Sequence, residues 1–473
     1  MVFLLGTRGM WFSRDDMAET ASPRLATQQS RCAGKTGRRK SELPVKSTRT
    51  SSVVDPVRIL SPLRDFLRTE SAGAILLAAS AVTALVWVNS PWSESYDSLW
   101  KSRFAFSFAG YGLDLDLRYW VNDGLMTIFF FVVGLEIKRE LTDGHLSDRR
   151  SATLPGIAAL GGMLVPALVY LAIAGSTNLR GWAIPMATDI ALAVGVLSVA
   201  RGRIPASLRA FLLGLAIVDD IGAILVIATV YSTGVTFGWL AASIVGVALV
   251  LIVKFLGARS TTLYVILGGV VWLGLFNGGV HPTLAGVVMG LLAPTTPHHQ
   301  VEYIDAERTE HISTHSSVAS AHGASVSTVE WLQHILHPWT SFFIVPVFAL
   351  ANGGIRLSTD GIQDAVSSPI TWGVFFGLLV GKPLGVLLAT QVAVRSGVSD
   401  MPEGSSTRHV IGVGSSAGIG FTVAIFIAKL ALLDPADLAN AKLAILMASL
   451  ASAVIAGIVL RAGSNHRLTT ESD

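Results

Sequence analysis

Four ionisable side chains stand inside stretches that are otherwise apolar. Asp189 follows Thr188 in Ile184-Pro-Met-Ala-Thr-Asp-Ile-Ala191, Asp219 and Asp220 are adjacent in Ala216-Ile-Val-Asp-Asp-Ile-Gly-Ala223, and Lys382 precedes Pro383 in Leu379-Val-Gly-Lys-Pro-Leu-Gly385. At the centre of a bilayer such a group costs at least roughly 2.5 to 3.5 kcal/mol, so each requires a reason. Ion pairing between helices is the plain structural reason. Three acids against one lysine leave excess negative charge, which pairing alone does not favour but a site for a cation or protons does. Neighbouring residues on a helix point about 100° apart, so Asp219 and Asp220 face different partners.

Two of the segments that must position these groups are interrupted. Gly412-Val-Gly-Ser-Ser-Ala-Gly418-Ile-Gly420-Phe421 is too glycine-rich for a comfortable helix interior, which predicts an unwound segment, and Pro185 to Asp189 is its counterpart earlier in the chain. Non-helical backbone at membrane depth is tolerated only where protein or a water-filled cavity surrounds it. Apolar runs predict about 12 membrane helices, near 71–90, 119–141, 151–174, 183–200, 206–231, 236–256, 262–277, 281–294, 338–353, 370–393, 408–429 and 438–461. The interrupted members fall in matching places of spans 3 to 5 and 10 to 12. That pattern predicts an inverted repeat with two broken helices crossing near the bilayer midplane. The fold class expected is therefore an all-α polytopic membrane protein.

Composition agrees. Of 473 residues 51% are hydrophobic and 14% charged, against roughly a quarter charged in a soluble domain. The net charge of +3 does not point to nucleic acid, because the basic residues lie in joints and tails rather than in one patch with aromatics. Lys138, Arg139, Arg149, Arg150, Arg201, Arg203, Arg209, Lys254 and Arg259 fall on one side of the spans, which by the positive-inside rule makes both termini cytoplasmic. The lone cysteine, Cys32, allows no intrachain disulfide. Val2 to Leu5 is too short for a signal-peptide core.

Around the membrane domain expected at 56–462, residues 1–55 read as a disordered basic tail and 463–473 as a short C-terminal tail, both cytoplasmic. In the extracytoplasmic joint 95–118, apolar residues alternate at Phe104, Phe106 and Phe108 and again at Leu113, Leu115 and Leu117, with a Gly110-Tyr-Gly112 turn between. This predicts a β-hairpin. The cytoplasmic stretch 295–330 holds His298, His299, His311, His315 and His322, without the tight spacing of a metal site, and reads as a solvated loop.

Several motifs closely resemble the NhaA family of sodium/proton antiporters. They are Trp120-Val-Asn122-Asp123-Gly-Leu-Met, Val133-Gly-Leu-Glu136-Ile-Lys138-Arg139-Glu140, Trp182 to Ala191, Ala216 to Gly222, Gly279-Val-His281, His334-Ile-Leu-His337-Pro-Trp, Gly381-Lys-Pro-Leu-Gly385 and Gly418-Ile-Gly-Phe-Thr422, in order from about 60 to 462. Inverted repeats with broken helices are an established feature of that family. The resemblance implies a secondary active antiporter of the inner membrane that extrudes sodium or lithium for protons, electrogenically, and serves sodium and pH homeostasis. It implies Asp220 as the main cation and proton carrier beside Asp219, which pairs with Lys382. Asp189 and Thr188 would sit at the helix crossing, where a carboxylate and a lysine offset the facing helix-end dipoles. Asp123 would either line the pathway or cap the second span. Glu136, Arg139 and Glu140 with Lys138 would form a cytoplasmic entrance, or an interfacial salt-bridge cluster, and His281, His334 and His337 match positions tied to pH response. The family's hairpins associate across a homodimer, which implies dimerisation through 104–117. The chain departs from the pattern at Gln333, where some members carry Glu, and in its His-rich loop and basic tail.

If sodium and protons compete for the same carboxylate oxygens, exchange follows from that exclusion and needs neither cofactor nor nucleotide; no P-loop signature is present. Two rival readings remain. An intramembrane aspartyl protease or prenyltransferase would use membrane aspartates, but neither the Gly-x-Gly-Asp signature nor spaced Asp-rich motifs occur. A sodium-coupled solute symporter would share the buried acids and differ in requiring a solute.

Overall fold

A computed structural model describes residues 70–108, 111–144, 146–199, 204–232, 234–257, 260–294, 297–300 and 325–464. The basic tail expected at 1–55, the histidines at 311, 315 and 322, and the expected C-terminal tail beyond Ser464 lie outside these residues, while residues 463 and 464 of that tail continue the last helix.

Helix occurs within each expected span, but those at 183–200 and 408–429 are broken and that at 281–294 is helical only over Leu284–Leu292. In chain order the elements are α1 (Glu70–Val88), α2 (Ser93–Lys101), the strands β1 (Arg103–Phe108) and β2 (Tyr111–Asp116), α3 (Leu117–Thr142), α4 (Arg149–Ala174), a 3-10 turn over Leu179–Met186, α5 (Ile190–Val199), α6 (Ala206–Val230), α7 (Phe237–Phe255), α8 (Thr261–Asn277) and α9 (Leu284–Leu292). There follow the short strands β3 (Pro297–Gln300) and β4 (Ser325–Ser327), then α10 (Thr328–Asn352), α11 (Thr359–Ser367), α12 (Pro369–Arg395), α13 (Thr407–Ala417), α14 (Phe421–Ala431) and α15 (Pro435–Ser464). Among the described residues eight helices are long and apolar enough to cross a membrane, or up to ten if each bent pair is one span. The apolar window of α7 is only 17% buried, whereas that of Leu179–Ser198 is 67% buried, so α7 is peripheral and the broken segment is packed inside.

The hairpin forms as its alternation predicts. Phe104 pairs with Leu115 and Phe106 with Leu113, which puts the apolar residues of both strands on one face. Trp120 ties it to α3: its indole N–H donates to the Phe104 carbonyl at 3.0 Å and its ring meets the Phe104 ring edge-on. Ahead of the hairpin, α2 bends 113° from α1 and buries Tyr96 and Trp100. The ninth expected span starts ten residues early. Ser327 caps it by accepting from the Glu330 N–H at 3.2 Å, and α10 carries its polar Gln333 and His334 in its first two turns, which sequence hydropathy does not count as span.

The glycine-rich stretch also differs from expectation. It is helical through Ala417 and opens only at 418–420. Gly412 and Gly414 serve packing instead: a Cβ on Gly414 would lie 2.9 Å from the Pro383 Cα, and one on Gly412 would lie 2.6 Å from Leu460 Cδ2. Small residues likewise let α4 and α12 touch backbone to backbone, where a Cβ on Gly381 would lie 2.8 Å from the Pro166 Cα. That approach lays the Lys382 stem over Gly162 and leaves the lysine fully buried.

Candidate cation site

The two broken helices meet back to back. Between Met186 and Ile190 the backbone is extended, and the Asp189 N–H donates to the Ile419 carbonyl in the other break at 2.7 Å. Four helix ends converge here, each with unpaired backbone groups, two donating and two accepting. Asp189 answers both donating ends. One oxygen accepts from the Leu192 N–H at 3.2 Å in α5, and the other accepts from the Thr422 N–H at 3.1 Å and the Thr422 hydroxyl at 2.6 Å in α14. The accepting ends are answered by donors: the Lys382 ammonium donates to the Met186 carbonyl, and the Thr188 hydroxyl lies 3.0 Å from that of Ala417. A negative group at helix N-termini and a positive one at a C-terminus is the arrangement the helix dipole favours.

Lys382 also lies 2.7 Å from Asp219, whose same oxygen faces the Thr188 hydroxyl at 2.8 Å. Asp219 and Asp220 are both buried in the middle of α6. They diverge as adjacent helical residues must: Asp219 turns to the lysine, while Asp220 lines a cavity of about 110 Å³. Among the described residues one oxygen of Asp220 and one of Asp219 are buried without a hydrogen-bond partner. Buried polar atoms are nearly always satisfied, so these oxygens are poised for a proton or a cation. Asp189, Thr188 and Thr422 border the same cavity, and Glu136 and His337 line it further along. Among the described residues no group of three or more His, Cys, Asp and Glu side chains is arranged to hold a metal ion.

A second group of polar residues lies toward the hairpin. Asp123 is buried in a π-helical stretch of α3, Trp120–Leu125, and lies 3.6 Å from the His281 Nε2. His281 Nδ1 is 2.8 Å from the Thr283 hydroxyl and its ring stands edge-on to Phe426. The capping alternative for Asp123 does not hold, because Asp116 caps α3, accepting from the Tyr119 N–H at 2.6 Å.

The residues singled out from sequence thus divide. Asp219, Asp220, Asp189, Thr188 and Lys382 converge at the crossing; Glu136 and His337 share its cavity; Asp123 and His281 form the hairpin-side group. Arg139 and Glu140 stand further along α3, and His334 is exposed on α10 away from the cavity. Thr422 and the Met186 and Ala417 carbonyls were not assigned roles. A hydroxyl placed just after the Gly-Ile-Gly break was the available signal for Thr422.

The family profile described as Na+/H+ antiporter 1 matches residues 64–460. The chain is 44% identical over 437 residues to the Na(+)/H(+) antiporter NhaA 2 of Sorangium cellulosum, a match covering 88% of this chain and 93% of that protein. It is 43% identical to the NhaA of Oleidesulfovibrio alaskensis over 413 residues, 83% of this chain and 92% of the relative, and 41% identical to NhaA 3 of Frankia alni over 412 residues, 85% and 89% respectively. With its buried carboxylates, its two crossing helix breaks and a match along most of its length, the chain belongs to the NhaA family of Na+/H+ antiporters.

Proposed function

We propose that this chain is a secondary active antiporter that extrudes sodium, or lithium, in exchange for protons, with Asp220 as the ion-carrying carboxylate. Asp220, which lines the cavity and keeps one buried oxygen without a hydrogen-bond partner, is the observation that carries this assignment. Asp219 stands beside it as a second carboxylate whose charge is shared with Lys382, and Asp189 with Thr188 holds the helix ends in place. A cation and a proton satisfy the same oxygens, so each excludes the other. Cycling between the two faces then couples their movements. An exchange of more protons than cations per cycle, hence electrogenic, follows if the Asp219–Lys382 pair also gains or loses a proton.

The membrane topology we propose has 12 spans with both ends of the chain in the cytoplasm of a cell whose inner membrane holds it. The units α4–break–α6 and α12–break–α15 support an inverted repeat, each being a helix, an interrupted helix and a helix. Glu136 and His337 then lie toward the cytoplasm and Asp123 with the hairpin toward the outside. The apolar hairpin face supports a homodimer joined through residues 104–117.

Acid-loaded inverted vesicles test the reading. Adding sodium or lithium is expected to collapse the pH gradient, with potassium as the comparison. Asp220→Asn, which keeps the shape but removes the charge, is expected to abolish the collapse at normal membrane levels, and Asp189→Asn to reduce it less, because an amide oxygen still accepts at one helix end. Near-normal exchange by Asp220→Asn would sink the assignment.

A further inference from the structure

The 3-10 segment over Leu179–Met186, which leads into the first break, is long for its kind. Such winding is uncommon beyond three or four residues because its hydrogen bonds are poorer than those of an α-helix, yet it holds here for 8 residues. Two buried tyrosines meet its beginning. The Tyr231 hydroxyl, at the C-terminal end of α6, donates to the Arg180 carbonyl at 2.6 Å, and the Tyr170 hydroxyl of α4 donates to the Asn178 carbonyl at 3.0 Å. The Asn178 amide donates to Asp437 in the first turn of α15 at 3.2 Å, and a Cβ on Gly181 would run into the Tyr170 hydroxyl. At the other end Pro185 rests on α12, where a Cβ on Gly377 would lie 2.7 Å from the Pro185 Cβ, and the Met186 carbonyl takes the Lys382 ammonium. The segment is thus tied to α6 twice, through Arg180 to Tyr231 and through the Thr188 hydroxyl to Asp219 at 2.8 Å. Along α6, Asp219 and Tyr231 are about 18 Å apart. The 3-10 winding to Met186 and the extended backbone beyond it carry the chain from Arg180 to Thr188 over about 19 Å, which matches. An α-helical winding of the same residues would fall about 3 Å short. The second break is approached by α13, a regular helix of 11 residues whose own hydrogen bonds fix its length.

We propose that Tyr231, backed by Tyr170, is a positioning residue of the exchange site: its hydroxyl keeps the approach to the first break in the longer 3-10 winding, and so sets Thr188 against Asp219 and the Met186 carbonyl against Lys382. The proposal rests on the antiport reading and on the Asp219–Asp220 site. Without the Tyr231 hydroxyl the segment relaxes toward α-helical winding and draws Thr188 away from Asp219. A misplacement of about 1 Å from a change remote from a site can cost about a hundredfold, so a tenfold loss of cation affinity is the expected scale. Any buried tyrosine hydroxyl needs an acceptor, but that role concerns stability and places no demand on cation affinity.

Half-saturation for sodium and the maximal exchange rate, measured on inverted vesicles of the full chain, separate the two roles. Tyr231→Phe keeps the ring and removes only the hydroxyl; it is expected to raise half-saturation about tenfold while the maximal rate stays within about twofold. Tyr170→Phe is expected to raise it about threefold, since Tyr231 still holds the segment. Tyr96→Phe is the comparison, because that buried hydroxyl makes the same kind of bond, to the Leu350 carbonyl at 2.8 Å, outside the broken helix. It is expected to lower thermal stability as much as Tyr231→Phe and to leave half-saturation unchanged. Hydrogen exchange of the amides over 180–188 reads the winding without transport, and is expected to quicken in Tyr231→Phe but not in Tyr96→Phe. Half-saturation within about twofold of wild type in Tyr231→Phe, or an equal rise in Tyr96→Phe, would overturn the proposal. If Tyr231→Phe fails to insert, Tyr170→Phe decides by the same two criteria. A wild type without sodium-driven proton movement would be the failure of the antiport reading, whereas unchanged amide exchange over 180–188 in Tyr231→Phe would be the failure of the positioning role.

Discussion

Asp189 and Lys382 carry opposite charges because the helix ends they meet carry opposite partial charges. Each such contact contributes about 0.3 to 1 kcal/mol at an exposed site and up to about 2 in partly buried geometry. Thr422 adds a hydroxyl to the same carboxylate, and hydrogen bonds to charged groups are worth about 1.5 to 3 kcal/mol. Thr422→Val is therefore expected to lower thermal stability in detergent by about that amount, with Thr422→Ser close to wild type. The Lys382–Asp219 pair follows a different rule, because breaking a buried pair strands an uncompensated charge. Asp219→Asn and Lys382→Gln are each expected to be destabilising, and the double variant less so than their sum, by a coupling of about 0.5 to 3 kcal/mol. Strict additivity in thermal unfolding would show that the 2.7 Å contact carries no energy. One change in electrogenicity would accompany loss of the pair if it also carries a proton.

At the scale of the element, helices here are interrupted where chemistry is needed and tightened where packing is needed. Breaks at 187–189 and 418–420 free backbone groups for Asp189, Thr188 and Lys382. Three π-helical turns, at Trp120–Leu125, Thr340–Ile344 and Gly377–Gly381, each stand beside or within a few residues of a polar residue singled out from the sequence, namely Asp123, His337 and Lys382. Elsewhere glycines act only through their missing Cβ. Gly381→Ala would push a methyl against the Pro166 Cα at 2.8 Å, in backbone that has no side-chain freedom to yield. Its expected cost is about 1 to 3 kcal/mol in thermal stability, with loss of exchange because Lys382 moves with it. Gly457, which has nothing within 4 Å, is the control: Gly457→Ala is expected to be neutral or slightly stabilising through helix propensity.

Among the described residues the helices are ordered by burial, with the broken segment Leu179–Ser198 packed inside and α7 largely exposed. A two-stranded hairpin is marginal by itself, and this one is held to its own chain chiefly through Trp120. Phe104 remains 62% exposed on its apolar face, which leaves that surface open for the dimer proposed above. Deleting 104–117 is expected to shift the protein from dimer toward monomer on native gels while part of the exchange activity survives, since the hairpin contributes no group to the crossing. An unchanged dimer population would place the interface elsewhere.

Much of this protein is legible in order along the chain. Apolar runs locate the spans because lipid demands about 20 apolar residues of any helix that crosses it, and acids inside those runs are conspicuous because they are expensive there. Pro185 and the Gly418–Gly420 pair mark the breaks for the same local reason, an incompatibility with helix. Partnership is not local. Asp189 and Thr422 are 233 residues apart, and Lys382 and Met186 are 196 apart, so only the close approach of α4 to α12 and of one break to the other brings them together. Residue type also hid which glycines unwind and which pack: Gly414 and Gly418 read alike in the sequence, and the difference is that Pro383 presses on one while the chain bends at the other. The same holds for the two acids entering α3, where Asp116 takes the cap and Asp123 is buried against His281, because capping depends on where the helix begins and burial on what is packed against it.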